Sequence, residues 1–163
     1  MVGGDVLEMA LHALHVILAG VWLGGILFTT TVVSPALKEM KWPEAERVRV
    51  RSTIGRHYAR VGSANLALLV VFAVLDGLMQ ELGLVFYAEY ALMVVLFGLA
   101  AAHGAYLGRR LTLLAESERK APGTEEAAKI AEQRRSLGKL SLRVSQTNLV
   151  VSAAVAILAA SAL

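Results

Sequence analysis

The chain has 163 residues, 56% of them hydrophobic, with a formal net charge of +3 and no cysteine; its mean hydropathy is +0.60 and its pI is near 9.4. A composition this apolar excludes an ordinary soluble domain, and the missing cysteine excludes disulfides, thiolate metal sites and cysteine nucleophiles. The basic pI does not point to nucleic acid, because all sixteen Lys and Arg fall within residues 38–60 and 109–143, a segregation that membrane topology produces.

The first apolar run, LEMALHALHVILAGVWLGGILFTTTVVS over residues 7–34, holds no Lys or Arg and is long enough to cross a bilayer. It is expected to stay in the protein rather than be cleaved as a signal peptide, since no basic residue precedes it and the run is too long. Within it lie His12 and His15, and an ionisable group inside such a span makes a functional site the default expectation. Glu8, His15 and Trp22 recur every seven residues on one face. Gly20 and Gly24 lie roughly opposite. Their small-xxx-small spacing predicts close helix packing, with a seam between two copies of the chain as the alternative.

Ser34-Pro35 is expected to end the first span. Pro43 then suits the start of a new helix, which should run unbroken from PEAERV into the second span at residues 61–80, with Tyr58, Asn65, Phe72 and Asp76 sharing a face. His57 falls at the basic rim and reads as an interfacial packing residue. A tight turn over residues 77–84 leads to the third span, residues 84–107, with Glu89 near its start and His103 near its end, on nearly the same face. Glu81 and Glu89 read as interfacial acids, and so does Asp76. This third helix should continue to about Lys120. Thr124 should then cap a last helix that starts charged and becomes the fourth span, residues 144–163. Ser141, Ser145, Asn148 and Ser152 form one polar stripe along it, and polar groups without water belong in the bundle interior.

The whole chain, residues 1–163, thus reads as a single membrane domain. The expected fold is all-α: a polytopic membrane protein, an up-down-up-down bundle of four transmembrane helices with cytoplasmic helical extensions. By the positive-inside rule the two basic segments are cytoplasmic and both termini lie outside. No phosphate-binding Gly loop, no Ser/His/Asp arrangement and no internal repeat stands out.

Depth sorts the histidines into two levels, His12 with His15 and His57 with His103, on the order of 20 Å apart at 1.5 Å per residue. The first expectation is haem b, held between helices by imidazole and serving electron transfer or redox chemistry with a membrane partner. His15 is its primary axial ligand, with His103, His12 and Trp22 as further cofactor-contacting residues. Met79, Met93 or an open position would complete the iron at the outer level, and a His57/His103 pair is the inner alternative. The second expectation is copper binding or import through Met9, His12, His15, Met79 and Met93, because thioether and imidazole ligands suit Cu(I). Glu8, Asp76 and Glu89 would draw cations to the mouth. A cofactor-free assembly subunit is the third. The partners implied are the lipid bilayer, a redox protein and a second copy of the chain, with no nucleic acid.

The stretch ALHVILAGVWLGGILFTTTVVSPAL resembles the opening helix of the copper-resistance protein D superfamily of bacterial membrane proteins. The likeness rests on His15, Trp22, Gly24/Gly25, Phe28 and Pro35. AAAHGAYLGRRL and the later RVSQTN are similar to the HemJ-type protoporphyrinogen oxidases of the same broad group. The resemblance implies a four-helix protein of the bacterial cytoplasmic membrane with a haem or copper role, and His15 as haem ligand. This chain has Leu92 about where those enzymes carry a Lys, and Leu149 follows Asn148 where they carry an Asn-Glu pair, so their reaction is not carried over.

Overall fold

The computed structural model of the chain describes residues 2–80, 83–120 and 122–161; Glu81, expected as an interfacial acid, lies outside them. Helix α1 (Val2–Phe28) passes through a π-helical turn (Thr29–Val33) into α2 (Ser34–Glu39). Helix α3 (Glu44–Met79) follows, then α4 (Leu84–Ala101), a second π-helical stretch (Ala102–Gly108), α5 (Arg109–Lys120) and α6 (Glu125–Ser161). No strand occurs among the described residues. Four of the resulting rods, Asp5–Glu39, Glu46–Met79, Leu84–Lys120 and Glu125–Ser161, are long and apolar enough to cross a membrane. The all-α fold with four apolar spans is as expected.

One boundary differs. The helix does not stop at Ser34-Pro35 but runs on to Glu39. Proline lacks an N–H and its ring crowds the carbonyl four residues back. The wide turn before Pro35 re-routes that ladder: the Ser34 N–H bonds to the Thr29 carbonyl, five residues back, and the rod continues. The start of the last helix is as expected. Ala127 N–H donates to Thr124 Oγ1 at 3.1 Å, the expected cap of α6, and Gly123 takes the positive φ of 77° that the preceding turn needs.

Each rod turns one narrow stripe inward: His15, Ala19, Trp22 and Ile26 on α1; Leu66, Leu69, Ala73 and Asp76 on α3; Phe86, Glu89, Met93 and Leu96 on α4; Ser152, Val155 and Ala159 on α6. Steps of three and four residues are those of helices crossing at shallow angles. α1 packs between α3 and α6, and α4 lies against α6. α3 and α4 touch more lightly, joined by the Tyr90 hydroxyl donating to the Ala73 carbonyl at 3.0 Å. Between apolar helices in lipid, association rests on tight packing and hydrogen bonds rather than on water release. Asn65 Nδ2 accordingly donates to the Leu18 carbonyl at 3.1 Å. The Trp22 indole N–H donates to Ser152 Oγ at 3.0 Å, and Ser152 in turn donates to the Asn148 carbonyl.

The glycines that let helices approach are not the expected pair. A Cβ on Gly20 or Gly24 would meet nothing within 4 Å, whereas one on Gly25 would come 2.9 Å from Tyr58 Oη and one on Gly62 3.3 Å from the Trp22 ring. Gly20 and Gly24 lie on the exposed face of α1 because the inward stripe is set by His15 and Trp22, opposite them.

Candidate functional site: a buried histidine–carboxylate cluster

Both carboxylates of the site flank the short turn between α3 and α4. Asp76 lies in the last turn of α3 and Glu89 in the second turn of α4, so the hairpin brings them to the same end of the bundle. α1 runs antiparallel to α3 and delivers His12 and His15 to that level from the other side. Gln80 closes α3 with its backbone N–H on the Asp76 carbonyl, and its Nε2 donates to Asp76 Oδ1 at 2.7 Å. That fixes the carboxylate with its other oxygen toward α1.

His15, Asp76 and Glu89 are each completely buried. His15 Nδ1 lies 2.9 Å from Asp76 Oδ2, and its Nε2 lies 2.8 Å from Glu89 Oε1. His12 Nδ1 approaches the same Asp76 Oδ2 at 3.0 Å, its ring edge-on to that of His15 with centroids 6.5 Å apart. A carboxylate only accepts, so each of these three contacts holds a proton between nitrogen and oxygen. The second Glu89 oxygen, Oε2, is buried without a hydrogen-bond partner among the described residues. His12 keeps 13% of its side-chain surface accessible and forms the lip of the cluster. An isolated buried charge is expensive, and only mutual pairing makes four such groups tolerable.

Sequence reasoning found the two histidines and missed their partners. Asp76 and Glu89 were expected at the membrane surface, yet they are among the most deeply buried side chains. The signal was present: Asp76 shares a face with Asn65 and Tyr58, and an intramembrane histidine needs a partner on another helix. The remaining expected residues are dispersed. Trp22 is buried two turns beyond His15, committed to Ser152. Met93 belongs to the apolar core. Met79 falls outside the inward stripe of α3 and is half exposed, as Met9 is on α1. Of the thioethers proposed for Cu(I), Met9 and Met79 are therefore exposed and not enclosed with His15. His103 lies in the second π-helical stretch, facing the backbone of Ser141, and its Nδ1 is without a hydrogen-bond partner among the described residues. His57 is exposed toward α1, so His57 and His103 face different helices and form no pair.

The donor set decides what the cluster can hold as it stands. A haem needs a free imidazole nitrogen with open space beyond it. Both nitrogens of His15 are taken by carboxylates and the ring is fully enclosed. This arrangement does not fit a porphyrin. It does fit a small ion: one donor atom each from His12, His15 and Asp76 lie within 4.8 Å of one another. Ligands about 2.0–2.2 Å from a tetrahedral metal sit roughly 3.4 Å apart, so each histidine nitrogen, at 2.9 and 3.0 Å from Asp76 Oδ2, needs to move from that oxygen by only a few tenths of an ångström. Glu89, on the far nitrogen of His15, is the carboxylate that orients a metal-ligating imidazole.

Comparison with known proteins gives a family but no activity. No curated protein and no solved structure matches the chain, and nothing in the comparisons links it to the copper-resistance protein D or HemJ groups. A family model matches residues 17–120, well over half of the chain. The matched segment carries Trp22, Asp76, Glu89, Met93 and His103 and begins just after His12 and His15. With four spans of membrane-crossing length, the chain is a multi-pass membrane protein, and it belongs to the family described as Domain of unknown function (DUF4149).

Proposed function

We propose that this protein binds one divalent transition-metal ion within the membrane, on His12 Nδ1, His15 Nδ1 and Asp76 Oδ2, with Glu89 as the carboxylate that orients His15. The observation that carries the reading is the convergence of those three donor atoms inside an otherwise apolar bundle. Charge supports a divalent ion. Two carboxylates, two neutral imidazoles and one 2+ cation sum to zero, the only affordable total so far from water. The ion would replace the two protons shared at Asp76, while the proton between His15 and Glu89 stays. Imidazole with carboxylate suits Zn(II), Cu(II), Fe(II) or Ni(II), whereas Cu(I) prefers softer donors. By the segregation of Lys and Arg, the acidic end with the cluster and both termini face outward across a bacterial cytoplasmic membrane. Asp5 and Glu8, exposed on α1 above His12, would attract the cation, so the function is capture of a metal ion from the outer side.

Titration of the purified protein in mild detergent with Co(II), followed by its visible d–d bands and checked by calorimetry with Zn(II), tests this. One equivalent should bind. His15→Ala and Asp76→Ala should abolish the bands, and Glu89→Gln should weaken affinity about 10–100-fold, the usual effect of losing such an orienting partner. Met79→Ala and Met93→Leu should bind as the natural protein does. Absence of binding overturns the reading. A Soret band in protein from haem-replete cells, lost in His15→Ala, would replace it with the haem function.

A further inference from the structure

Away from the cluster, at the basic end, α1 and α3 diverge to leave an open furrow of about 430 Å³. Its walls are Phe28 and Val33 on one side and Ile54 and Val61 on the other, with Thr53 and His57 along its α3 edge. The one hydroxyl on the α1 wall is hidden, since Thr29 Oγ1 donates back to the Gly25 carbonyl at 2.9 Å. Beyond Phe28 this wall is formed by the π-helical turn Thr29–Val33, and such wide turns recur at functional positions. In depth, the furrow spans the boundary between the apolar residues of α3, which begin at Val61, and its basic segment.

Beside the furrow, α3 carries cations that no carboxylate among the described residues neutralises. Arg56 rests its guanidinium on two neutral hydroxyls, Ser52 Oγ at 2.8 Å and Thr53 Oγ1 at 3.0 Å. Arg60, one turn nearer the membrane core, is exposed. Among the described residues neither meets a carboxylate, unlike Arg49 with Glu46 or Lys129 with Glu125. Guanidinium groups on long apolar stems at this level reach to the headgroup region, and a fork of N–H donors matches phosphate oxygens. An apolar trough with an imidazole on its α3 edge, and with the Arg56 guanidinium bonded to Thr53 of that edge, is complementary to one ligand class: a chain with an anionic head.

We propose that this furrow binds an anionic phospholipid of the basic-side leaflet, an acyl chain lying along Phe28, Val33, Ile54 and Val61, and the phosphate held by Arg56, Arg60 and His57. The inference does not depend on the metal site. It is tested by native mass spectrometry of the full chain released from bilayers made of equal parts phosphatidylglycerol and phosphatidylcholine. The protein should retain one phosphatidylglycerol in preference to phosphatidylcholine. Arg56→Gln with Arg60→Gln should lower that preference about fivefold for each charge removed, with melting temperature unchanged because both side chains are exposed. Ile54→Trp, which fills the trough, should lower retention of both lipids. Arg109→Gln with Arg143→Gln, basic residues of the same end outside the furrow, should leave the preference intact. Equal retention of the two lipids by the natural chain overturns the proposal. So does an equal loss in the two arginine pairs, which would reduce the effect to a general attraction of the basic surface.

Discussion

His15 is held on both nitrogens by acids from two other helices, so its removal acts through what it leaves behind. His15→Leu strands Glu89 and leaves Asp76 with only His12 and Gln80, and breaking a buried pair this way costs about 3–5 kcal/mol. Replacing the whole network is a different experiment: His15→Leu with Asp76→Leu and Glu89→Leu removes the stranded charges and should recover most of that loss. Thermal melting in detergent, single against triple variant, measures the difference, and a triple variant no more stable than His15→Leu would show that the loss comes from the missing hydrogen bonds between helices and not from stranded charge. Trp22→Phe asks a smaller question. Ser152 keeps its bond to the Asn148 carbonyl and loses only the indole donor, so the cost should be about 1 kcal/mol. At this scale the sequence was half legible. His12 and His15 stand out because, beyond Glu8 at its edge, nothing else in their span is ionisable. Asp76 and Glu89 did not, because a hydropathy count assigns an acid near the end of a span to the interface, while burial here depends on a partner 61 to 74 residues away.

At the scale of the helix, adjacent glycines behave oppositely. Gly24 faces outward with nothing within 4 Å of an added Cβ, whereas Gly25 faces the Tyr58 ring, whose atoms stand at 2.9–3.4 Å from that position. Tyr58 is packed against Trp22, ring centroids 6.4 Å apart, and cannot simply swing away. Gly25→Ala should therefore destabilise by about 1–3 kcal/mol, the range for overpacking a tight contact. Gly24→Ala should be neutral or slightly stabilising, since alanine favours helix by up to about 1 kcal/mol over glycine. Melting temperatures of the two variants should move in opposite directions or differ clearly; equal losses would place both glycines in packed seams. The GVWLG spacing was visible in the sequence, but a spacing names a face only once another residue fixes which way the helix is turned. His15 does that, and it turns Gly20 and Gly24 out. The π-helical turns were not visible at all. They follow from how the backbone accommodates Pro35 and the glycines around His103, a matter of hydrogen-bond routing that apolar periodicity does not encode.

For the whole molecule, the properties readable from the sequence are those that add up locally: the length of each apolar run, and the confinement of Lys and Arg to residues 38–60 and 109–143. Helix order is not of that kind. That α1 lies between α3 and α6, with α3 and α4 only lightly joined, depends on which stripes fit one another across the bundle. The same charge segregation bears on function through orientation, because the cluster is at the acidic end, and His12 is its accessible lip. An ion arriving at that end reaches Asp76 without crossing the apolar core, whereas one from the basic end would have to pass the packed layer of Trp22, Leu66, Leu69 and Leu96. Orientation therefore decides which compartment would supply the proposed metal. The chain contains no cysteine, so single cysteines can be read without background. Asp5→Cys and Ser161→Cys should react with a membrane-impermeant maleimide on intact cells, and Arg119→Cys only after the membrane is opened. The reverse pattern would put the cluster on the cytoplasmic side and turn the proposed capture of an external ion into sensing or export of an internal one, with the same ligands.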